Sequence, residues 1–378
     1  MNFTLNDDQK AFIETAKSFS DKELKPFAGE WDEKSYFPVD TIKKAAEMGF
    51  ATLYCREEHG GLGLGRLESA LIFETLSAGC VSTAAYLSIH NMVSWVIDTF
   101  GSDSQRFYWL PQLTEMSVLA SYCLTESNSG SDAASLKTKA VKSGDHYILD
   151  GSKCFISGAG VSDVYLVMAR TSDDGANGIS AFIVEKEFEG VSFGALEKKM
   201  GWKSQPTAVV NFDSVKVPAT HLIGREGQGF KFAMQALDGG RVNIASCSLG
   251  GAARALEQTL SYMAERKQFG KSLDSFQALQ FRLADMRTEL EAAKLMVYKA
   301  AHMLDINDPE KTFYCAMAKR FTTDICSKIA NEALQLHGGY GYIHDYEVER
   351  LVRDLRVHQI LEGTNEIMRV IVSKKMLA

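Results

Sequence analysis

The spacing of apolar residues changes twice along the chain, and these two changes limit the fold more than any other feature. Residues 1–118 have helical spacing. Asn6 is followed three positions later by Gln9, which predicts a capping box at the start of the first helix. Residues 82–100 are apolar and nearly uncharged, so we expect a buried helix there. The first third of the chain is therefore predicted to be all-helical.

The middle of the chain, residues 119–227, has a different pattern. Short segments rich in β-branched and aromatic residues alternate with turn signals, which predicts a β-barrel or β-sandwich. Two such segments, residues 147–149 and 153–157, flank Asp150-Gly151. A dipeptide of this type between apolar segments predicts a hairpin with a type I′ turn.

Helical spacing returns in residues 228–378. A run after Ser275 places apolar residues at 276, 279, 283, 286 and 290, which gives one buried stripe. Asp308-Pro309 predicts the start of a further helix, and Gly338-Gly339 predicts its end. Long helices joined by short loops are typical of a bundle. We therefore predict an α+β protein with an N-terminal helical domain (1–118), a middle β-barrel or sandwich domain (119–227) and a C-terminal four-helix bundle (228–378).

Composition excludes several classes of function. The 378 residues are 46% hydrophobic and carry a net charge of −7, which argues against a nucleic-acid or anionic-membrane binder. No apolar run approaches the ~18 residues of a membrane span. Seven scattered cysteines without a CxxC pair indicate free thiols in a reducing compartment. Residues 1–6 resemble no targeting peptide, so we expect a bacterial cytoplasmic protein, or a mitochondrial matrix protein trimmed of its presequence.

The strongest candidate for chemistry is the segment 361–367 (LEGTNEI). It places Glu362 between an apolar residue and Gly363. Burial raises the pKa of a glutamate above its usual value of ~4.3, and a desolvated carboxylate beside a ligand carbonyl can act as a base. A solvated glutamate at a capped helix end fits this segment equally well.

Three other segments have a functional and a structural interpretation. Residues 122–132 (YCLTESNSGSD) offer hydroxyl, amide and backbone groups for a flat polar ring or a phosphate, or form a plain polar turn. Arg241 either pairs with a ligand anion or makes a surface ion pair. Arg266, in the segment 266–270 (RKQFG), either meets a pyrophosphate or offsets a helix dipole. His337 and His358 have no partner at metal-ligand spacing, so we interpret both as structural and expect no metal site.

Residues 60–65 (GGLGLG) suggest a dinucleotide-binding loop, but the pattern fails. Counted from Gly61, the third glycine falls on Arg66, and no βαβ pattern surrounds the segment. The chain also contains no Walker A, HExxH or GxSxG motif.

Taken together, the segments resemble the acyl-CoA dehydrogenase family over essentially the whole chain. The segments that carry the resemblance are residues 122–132, 155–157, 224–230, 266–270, 335–339 and 362–366. Within the family, residues 88–92, 201–207, 241–249 and 356–362 are most similar to the branch that acts on isobutyryl-CoA. Two departures are Ser127, where a proline is usual, and Phe155, where many relatives have tryptophan.

The resemblance implies a homotetramer with one FAD per subunit, bound between the β domain and the bundle. The residues that it places at the flavin of the same subunit are Tyr122, Cys123, Leu124, Thr125, Gly130, Ser131, Phe155, Ile156, Ser157, Thr364 and Glu366. Those that it places at the FAD of a neighbouring subunit are Arg266, Phe269, Gln277, Gln335, Gly338 and Gly339. Those that it places at the CoA thioester are Ser131, Asp238, Gly239, Gly240, Arg241 and Gly363.

The resemblance also implies the reaction. Glu362 is expected to take the α-proton of an acyl-CoA while the β-hydrogen leaves as hydride to the flavin, and electron-transfer flavoprotein is expected to accept the electrons. Some branches place the base at the position of Gly240, where glycine cannot serve. The expected substrate is isobutyryl-CoA, oxidised to methacrylyl-CoA in valine breakdown, with the helix around residues 82–92 lining the acyl pocket. The alternatives are 2-methylbutyryl-CoA or straight short chains, an acyl-CoA oxidase, and a flavoprotein without enzymatic activity.

Overall fold

The computed structural model describes residues 4–377. Met1, Asn2 and Phe3, which belong to the N-terminal segment interpreted above, lie outside the described residues, as does Ala378.

The N-terminal part is helical, as predicted. Asn6 Oδ1 accepts the backbone N–H of Gln9 at 2.8 Å, and Gln9 Oε1 accepts that of Asn6 at 3.1 Å, so the predicted capping box is present. The helices are α1 (Asp7–Phe19), α2 (Ala28–Lys34), α3 (Val39–Glu47), α4 (Arg66–Ser77), α5 (Val81–Phe100) and α6 (Asp103–Thr114), with a π-helical turn at Ser20–Leu24. The α5 helix is buried along most of its length, because its apolar residues face neighbours on all sides.

The middle part forms one mixed sheet. Its strands are β1 (Ala120–Cys123), β2 (Lys139–Ser143), β3 (His146–Ser157), β4 (Val164–Arg170), β5 (Ile179–Glu185), β6 (Val191–Phe193), β7 (Thr207–Pro218) and β8 (Leu222–Ile223). Their spatial order is β6-β7-β3-β2-β4-β5-β8, and β1 pairs in parallel with β4.

The predicted hairpin at Asp150-Gly151 is wrong. Strand β3 continues through both residues and pairs with β2 on one side and β7 on the other. Gly151 has a φ of 147°, and a Cβ atom there would lie 2.6 Å from Thr138 Oγ1. The glycine therefore permits a close approach of two chain segments within the sheet and does not form a turn.

The C-terminal part is helical. Its helices are α7 (Gly229–Glu265), α8 (Gln277–Asp305), α9 (Lys311–His337), α10 (Val348–Arg356) and α11 (Asn365–Leu377), and a short hairpin, β9 (Lys267–Gln268) with β10 (Lys271–Ser272), follows α7. Helix α9 begins at Lys311 rather than at Pro309, because Asp308 Oδ1 accepts the backbone N–H of Glu310 in a turn before the helix. It ends at His337, and Gly338 takes a positive φ of 60°, as the glycine pair predicted.

The three parts meet around one apolar cluster. Met92 and Val93 of α5, Leu166 of β4, and Phe232 and Leu237 of α7 all belong to it. The cluster brings the first half of α7 against both the sheet and α5, and this junction positions the candidate site.

Candidate active site

A cavity of about 320 Å³ opens at this junction. Eleven of the residues singled out from the sequence line it: Tyr122, Leu124, Thr125, Gly130, Ser131, Phe155, Ile156, Ser157, Arg241, Glu362 and Gly363. They come from the loop after β1, the end of β3, α7 and the segment before α11. Helix α5 contributes Ile89 and Met92 to the wall.

A buried lysine holds the loop after β1. The Lys153 side chain is fully buried, and its Nζ donates to Leu124 O at 3.0 Å and to Glu126 Oε1 at 2.8 Å. The Glu126 carboxylate also accepts the backbone N–H groups of Lys137 and Thr138. Burial alone would raise the pKa of Glu126, but Lys153 and these donors lower it. These hydrogen bonds fix the loop as one wall of the cavity. Glu126 lies in the segment 122–132 that the sequence singled out, but its pairing with Lys153 was not predicted.

A β-bulge turns Phe155 towards the cavity. The pairing of β3 with β7 shifts between Lys153 and Ile156, and Phe155 takes a φ of 58° in between. Its ring is 68% exposed although it lies within a strand. An aromatic face at the cavity rim suits a planar ligand.

Glu362 presents its carboxylate to the cavity from a left-handed turn. Glu362 has a φ of 54° and Gly363 a φ of 92°. Part of Glu362 is accessible from the cavity, but its Oε2 is buried and has no hydrogen-bond partner among residues 4–377. Burial raises the pKa of Glu362 to about 7, against the opposing charges of Arg241 and Lys319. The alternative of a solvated glutamate is therefore wrong.

Arg241 supports this turn from inside the protein. Its Nη1 donates to Asp238 Oδ1 at 2.7 Å and its Nε donates to Glu362 O at 3.3 Å. Asp238 accepts a further hydrogen bond from Thr312 Oγ1. The Arg241 side chain is 5% exposed and that of Asp238 is 6% exposed, so the two form a buried ion pair. The interpretation that Arg241 makes a surface ion pair is therefore wrong.

Lys319 supports the same turn from α9. The side chain is fully buried, and its Nζ donates to Gly363 O at 2.8 Å and to Asn365 Oδ1 at 3.0 Å. Lys319 was not among the residues predicted to form the site. The available signal was a lysine among buried neighbours at helical spacing, since Cys315, Ala316 and Thr323 are all buried.

Gly240 leaves space for the carboxylate. A Cβ atom at Gly240 would lie 2.3 Å from Glu362 Oε2 and 2.8 Å from its Cδ. The absence of a side chain on this turn of α7 is therefore what allows Glu362 to occupy its observed position.

Five of the remaining residues singled out from the sequence lie outside the cavity wall. Cys123 is buried in the core of the sheet. Asp238 and Gly239 line a separate cavity of about 370 Å³. Thr364 Oγ1 accepts the backbone N–H of Ile367 at the start of α11, and exposed Glu366 pairs with Arg369 on that helix.

A second group of these residues meets on the bundle. Arg266, Gln335, Gly338 and Gly339 line one groove of about 540 Å³. The Arg266 guanidinium lies 5.2 Å from the centre of the Tyr340 ring in that groove. Phe269, in the turn between β9 and β10, is 94% exposed, and Gln277 is exposed at the start of α8.

The two lone histidines have protein partners. His337 Nδ1 contacts Ala333 O at 2.7 Å, and His358 Nδ1 contacts Ser248 Oγ at 2.7 Å. Within residues 4–377, no group of three or more His, Cys, Asp or Glu side chains could hold a metal ion. In the same range, no helix is long and apolar enough to cross a membrane.

The polar and aromatic groups of the cavity suit a planar ligand such as a flavin. The Tyr122 hydroxyl and the Trp202 indole N–H are buried and, across the described part of the chain, have no hydrogen-bond partner, as is also true of Glu362 Oε2. All three residues line the same cavity. Buried polar atoms of this kind call for ligand partners, because leaving them unpaired is costly. With the Phe155 ring, they suit a planar group that carries polar edges.

Comparison with known proteins defines the class. The N-terminal, middle and C-terminal domains of acyl-CoA dehydrogenase match residues 6–117, 121–215 and 227–377. The chain belongs to the acyl-CoA dehydrogenase family and is an FAD-dependent oxidoreductase with acyl-CoA dehydrogenase activity. The predicted fold class is confirmed.

Individual relatives are similar over nearly their full length. The mitochondrial isobutyryl-CoA dehydrogenase of Dictyostelium discoideum is 53% identical over 98% of this chain and 90% of that protein. Butyryl-CoA dehydrogenase from Megasphaera elsdenii is 39% identical, with a TM-score of 0.97 over all of both chains. A chain in a structure described as the electron transferring flavoprotein of Acidaminococcus fermentans is 41% identical, with a TM-score of 0.98 over all of both chains.

Proposed function

We propose that this enzyme oxidises a short branched-chain acyl-CoA, isobutyryl-CoA to methacrylyl-CoA, with Glu362 as the base. The observation that carries the proposal is the Glu362 carboxylate, which lies at the cavity with a buried Oε2 that has no hydrogen-bond partner among residues 4–377. The similarity to isobutyryl-CoA dehydrogenase of Dictyostelium discoideum supports the choice of acyl chain.

The electrostatics of Glu362 suit proton abstraction from carbon. A general base works best when its pKa lies near the operating pH, and burial raises the pKa of Glu362 to about 7. The α C–H bond breaks, its proton moves to a Glu362 carboxylate oxygen, and the electron pair forms the new C=C bond. We expect the Glu362 backbone N–H to donate to the thioester oxygen and to stabilise the negative charge that develops there.

Bound FAD supplies the two-electron acceptor that takes the β-hydrogen with its electron pair. The residues that would hold its ring are those of the loop after β1 together with residues 155–157, since they border the cavity beside Glu362. Ligands that fill this cavity would displace water from it, which strengthens the hydrogen bonds at the thioester.

We also infer that the enzyme is a homotetramer that passes its electrons to electron-transfer flavoprotein. The groove that contains Arg266, Gln335, Gly338 and Gly339 lies on the bundle and has no residue in common with the cavity at Glu362. An arginine beside backbone glycines is suited to a pyrophosphate, so this groove would hold the FAD of a neighbouring subunit.

The seven cysteines are all free, as expected in a bacterial cytoplasm or a mitochondrial matrix.

Anaerobic flavin bleaching tests the proposal. The FAD-loaded enzyme is mixed with isobutyryl-CoA, 2-methylbutyryl-CoA, butyryl-CoA or isovaleryl-CoA, and the loss of flavin absorbance is followed. The fastest bleaching with isobutyryl-CoA is expected, although one methylene contributes only about 1–3 kcal/mol to discrimination. Faster bleaching with another chain would overturn the substrate. Normal bleaching in Glu362→Gln, which retains the shape but not the basicity, would remove Glu362 from the mechanism.

Parallel turnover assays test the electron acceptor. We expect the reduced enzyme to be reoxidised by electron-transfer flavoprotein and only slowly by oxygen. Faster turnover with oxygen would make the enzyme an acyl-CoA oxidase.

A further inference from the structure

Lys319 is the least expected charged group near the cavity. It lies in the middle of α9, its side chain is fully buried, and its two hydrogen-bond acceptors among residues 4–377 are neutral oxygens. Burying an ammonium group without a directly paired carboxylate is costly. A lysine at this position therefore requires an explanation beyond packing.

Its two acceptors lie immediately after the base. Gly363 O accepts at 2.8 Å and Asn365 Oδ1 at 3.0 Å. The Asn365 side chain is itself held, because its Nδ2 donates to Thr323 Oγ1 at 2.9 Å and to Asp324 Oδ1 at 2.7 Å. Lys319 thus connects the backbone after Glu362 to a polar network on α9.

The turn that Lys319 holds needs such support. A positive φ at a residue other than glycine is unfavourable and persists only where the surroundings enforce it. Glu362 has a φ of 54°, and Arg241 binds its carbonyl from α7. Lys319 binds the next carbonyl from α9, so the two helices hold consecutive peptide groups of the turn.

On the basis of the proposed function, we propose that Lys319 is a positioning residue, which holds the Glu362-Gly363 turn in its left-handed conformation and places a positive charge beside the base. Lys319 is not among the described residues that line the cavity, and its hydrogen bonds go to Gly363 O and Asn365 Oδ1 rather than to the Glu362 carboxylate. It acts through Glu362 in two ways, by fixing the carboxylate relative to the substrate and by favouring its ionised form.

The electrostatic role is set by the charges around Lys319. Burial lowers the pKa of Lys319 to about 8, while the charges of Glu362, Asp324 and Glu366 oppose this shift and Arg241 adds to it. Arg241 and Lys319 both lower the pKa of Glu362, against the effect of burial. Burial lowers the pKa of His358, and the charge of Lys319 lowers it further. Removal of the Lys319 charge therefore raises the pKa of Glu362 further.

The test compares three replacements at one position. Lys319→Met removes the charge and the donor, Lys319→Gln keeps a neutral donor, and Lys319→Arg keeps the charge. Lys328→Met is the matched control, because Lys328 lies on the same helix but is 58% exposed and pairs with Glu289. Each FAD-loaded variant is assayed by anaerobic bleaching with the acyl-CoA that bleaches the parent enzyme fastest. The rate is measured from about pH 5.5 to about pH 9.5, which brackets a base with a pKa of about 7.

We expect Lys319→Met to bleach on the order of 10²-fold more slowly at pH 7, because a small displacement of a catalytic group has an effect of this size. The dissociation constant of the acyl-CoA is expected to change less than threefold, so the loss falls on the rate of the chemical step. The midpoint of the rising limb of the pH profile is expected to move to higher pH in Lys319→Met and Lys319→Gln, and to stay near that of the parent in Lys319→Arg and Lys328→Met.

Two results would overturn the inference. One is a Lys319→Met variant with the rate and pH profile of the parent. The other is a loss of thermal stability in all three variants without a change in the pH midpoint, which is the behaviour of a residue that only supports packing. If Lys319→Met does not fold, the comparison of Lys319→Arg with Lys319→Gln decides, since they differ in charge. A parent enzyme that no acyl-CoA bleaches would contradict the proposed function instead.

Discussion

Gly240→Ala is the smallest change that tests the geometry of the base. The new Cβ would lie 2.3 Å from Glu362 Oε2, 2.8 Å from Cδ and 2.9 Å from Oε1, whereas ordinary van der Waals contact begins near 3.4 Å. All three atoms of the carboxylate are affected, so a rotation of the group cannot relieve the clash. The carboxylate has to move by about 1 Å, because the Cβ sits on the rigid α7 backbone.

The expected consequence is a slower chemical step in a folded enzyme. A displacement of about 1 Å at a catalytic group lowers the rate on the order of 10²-fold, or roughly 2.7 kcal/mol in barrier height. Alanine has the higher helix propensity by about 1 kcal/mol, so the substitution has no intrinsic cost to the helix. The loss should therefore appear in bleaching rather than in FAD content.

The assay is the anaerobic bleaching rate at saturating acyl-CoA, measured beside Gly29→Ala as a control. Gly29 also lies in a helix, and a Cβ atom there meets nothing within 4 Å. We expect Gly29→Ala to retain the parent rate. A Gly240→Ala rate within twofold of the parent would show that the carboxylate does not act from the observed position.

Three further predictions follow from individual groups. The kcat/KM is expected to rise with pH through about 7, because burial raises the pKa of Glu362 to about 7 and only the ionised form accepts a proton; a rising limb centred near pH 4.5 would contradict a buried base. Arg266→Ala is expected to lose FAD on gel filtration and to yield smaller oligomers by analytical ultracentrifugation. The control Arg287→Ala, which changes an exposed arginine of α8, is expected to retain its FAD and the oligomeric state of the parent. Equal FAD content and oligomer size in the two variants would remove Arg266 from the cofactor site. Lys153→Met leaves the Glu126 carboxylate buried without its cation and is expected to cost about 3–5 kcal/mol of unfolding free energy, seen as a lower denaturation midpoint; an unchanged midpoint would show that the pair does not hold the loop.

Much of the architecture followed from local sequence signals. The capping box at Asn6 and Gln9, the buried helix in residues 82–100 and the end of α9 at Gly338 are local features, and all are present. A hydrogen bond between residues three apart or a glycine with positive φ depends on the immediate chain. For this reason such elements are readable without knowledge of the rest of the fold.

The hairpin at Asp150-Gly151 shows where local signals failed. The dipeptide is compatible with a tight turn, but the strand continues because its neighbours on both sides supply partners along its whole length. The glycine is required by a close contact with Thr138, more than ten residues away in sequence. Long-range pairing therefore overrode the local preference.

The composition of the candidate site was largely predictable, whereas its electrostatics were not. The sequence by itself determined the order of helical, β and helical parts, the family, and the segments 122–132, 155–157 and 361–367 that line the cavity, since these depend on residue type and spacing. Only the tertiary structure decided that Glu362 is buried, that Gly240 gives it room, and that Arg241 and Lys319 reach its turn from two different helices. The reason is physical: the pKa and position of a carboxylate depend on the charges and atoms within a few ångströms, and these come from residues about 40 to 120 positions away in the chain.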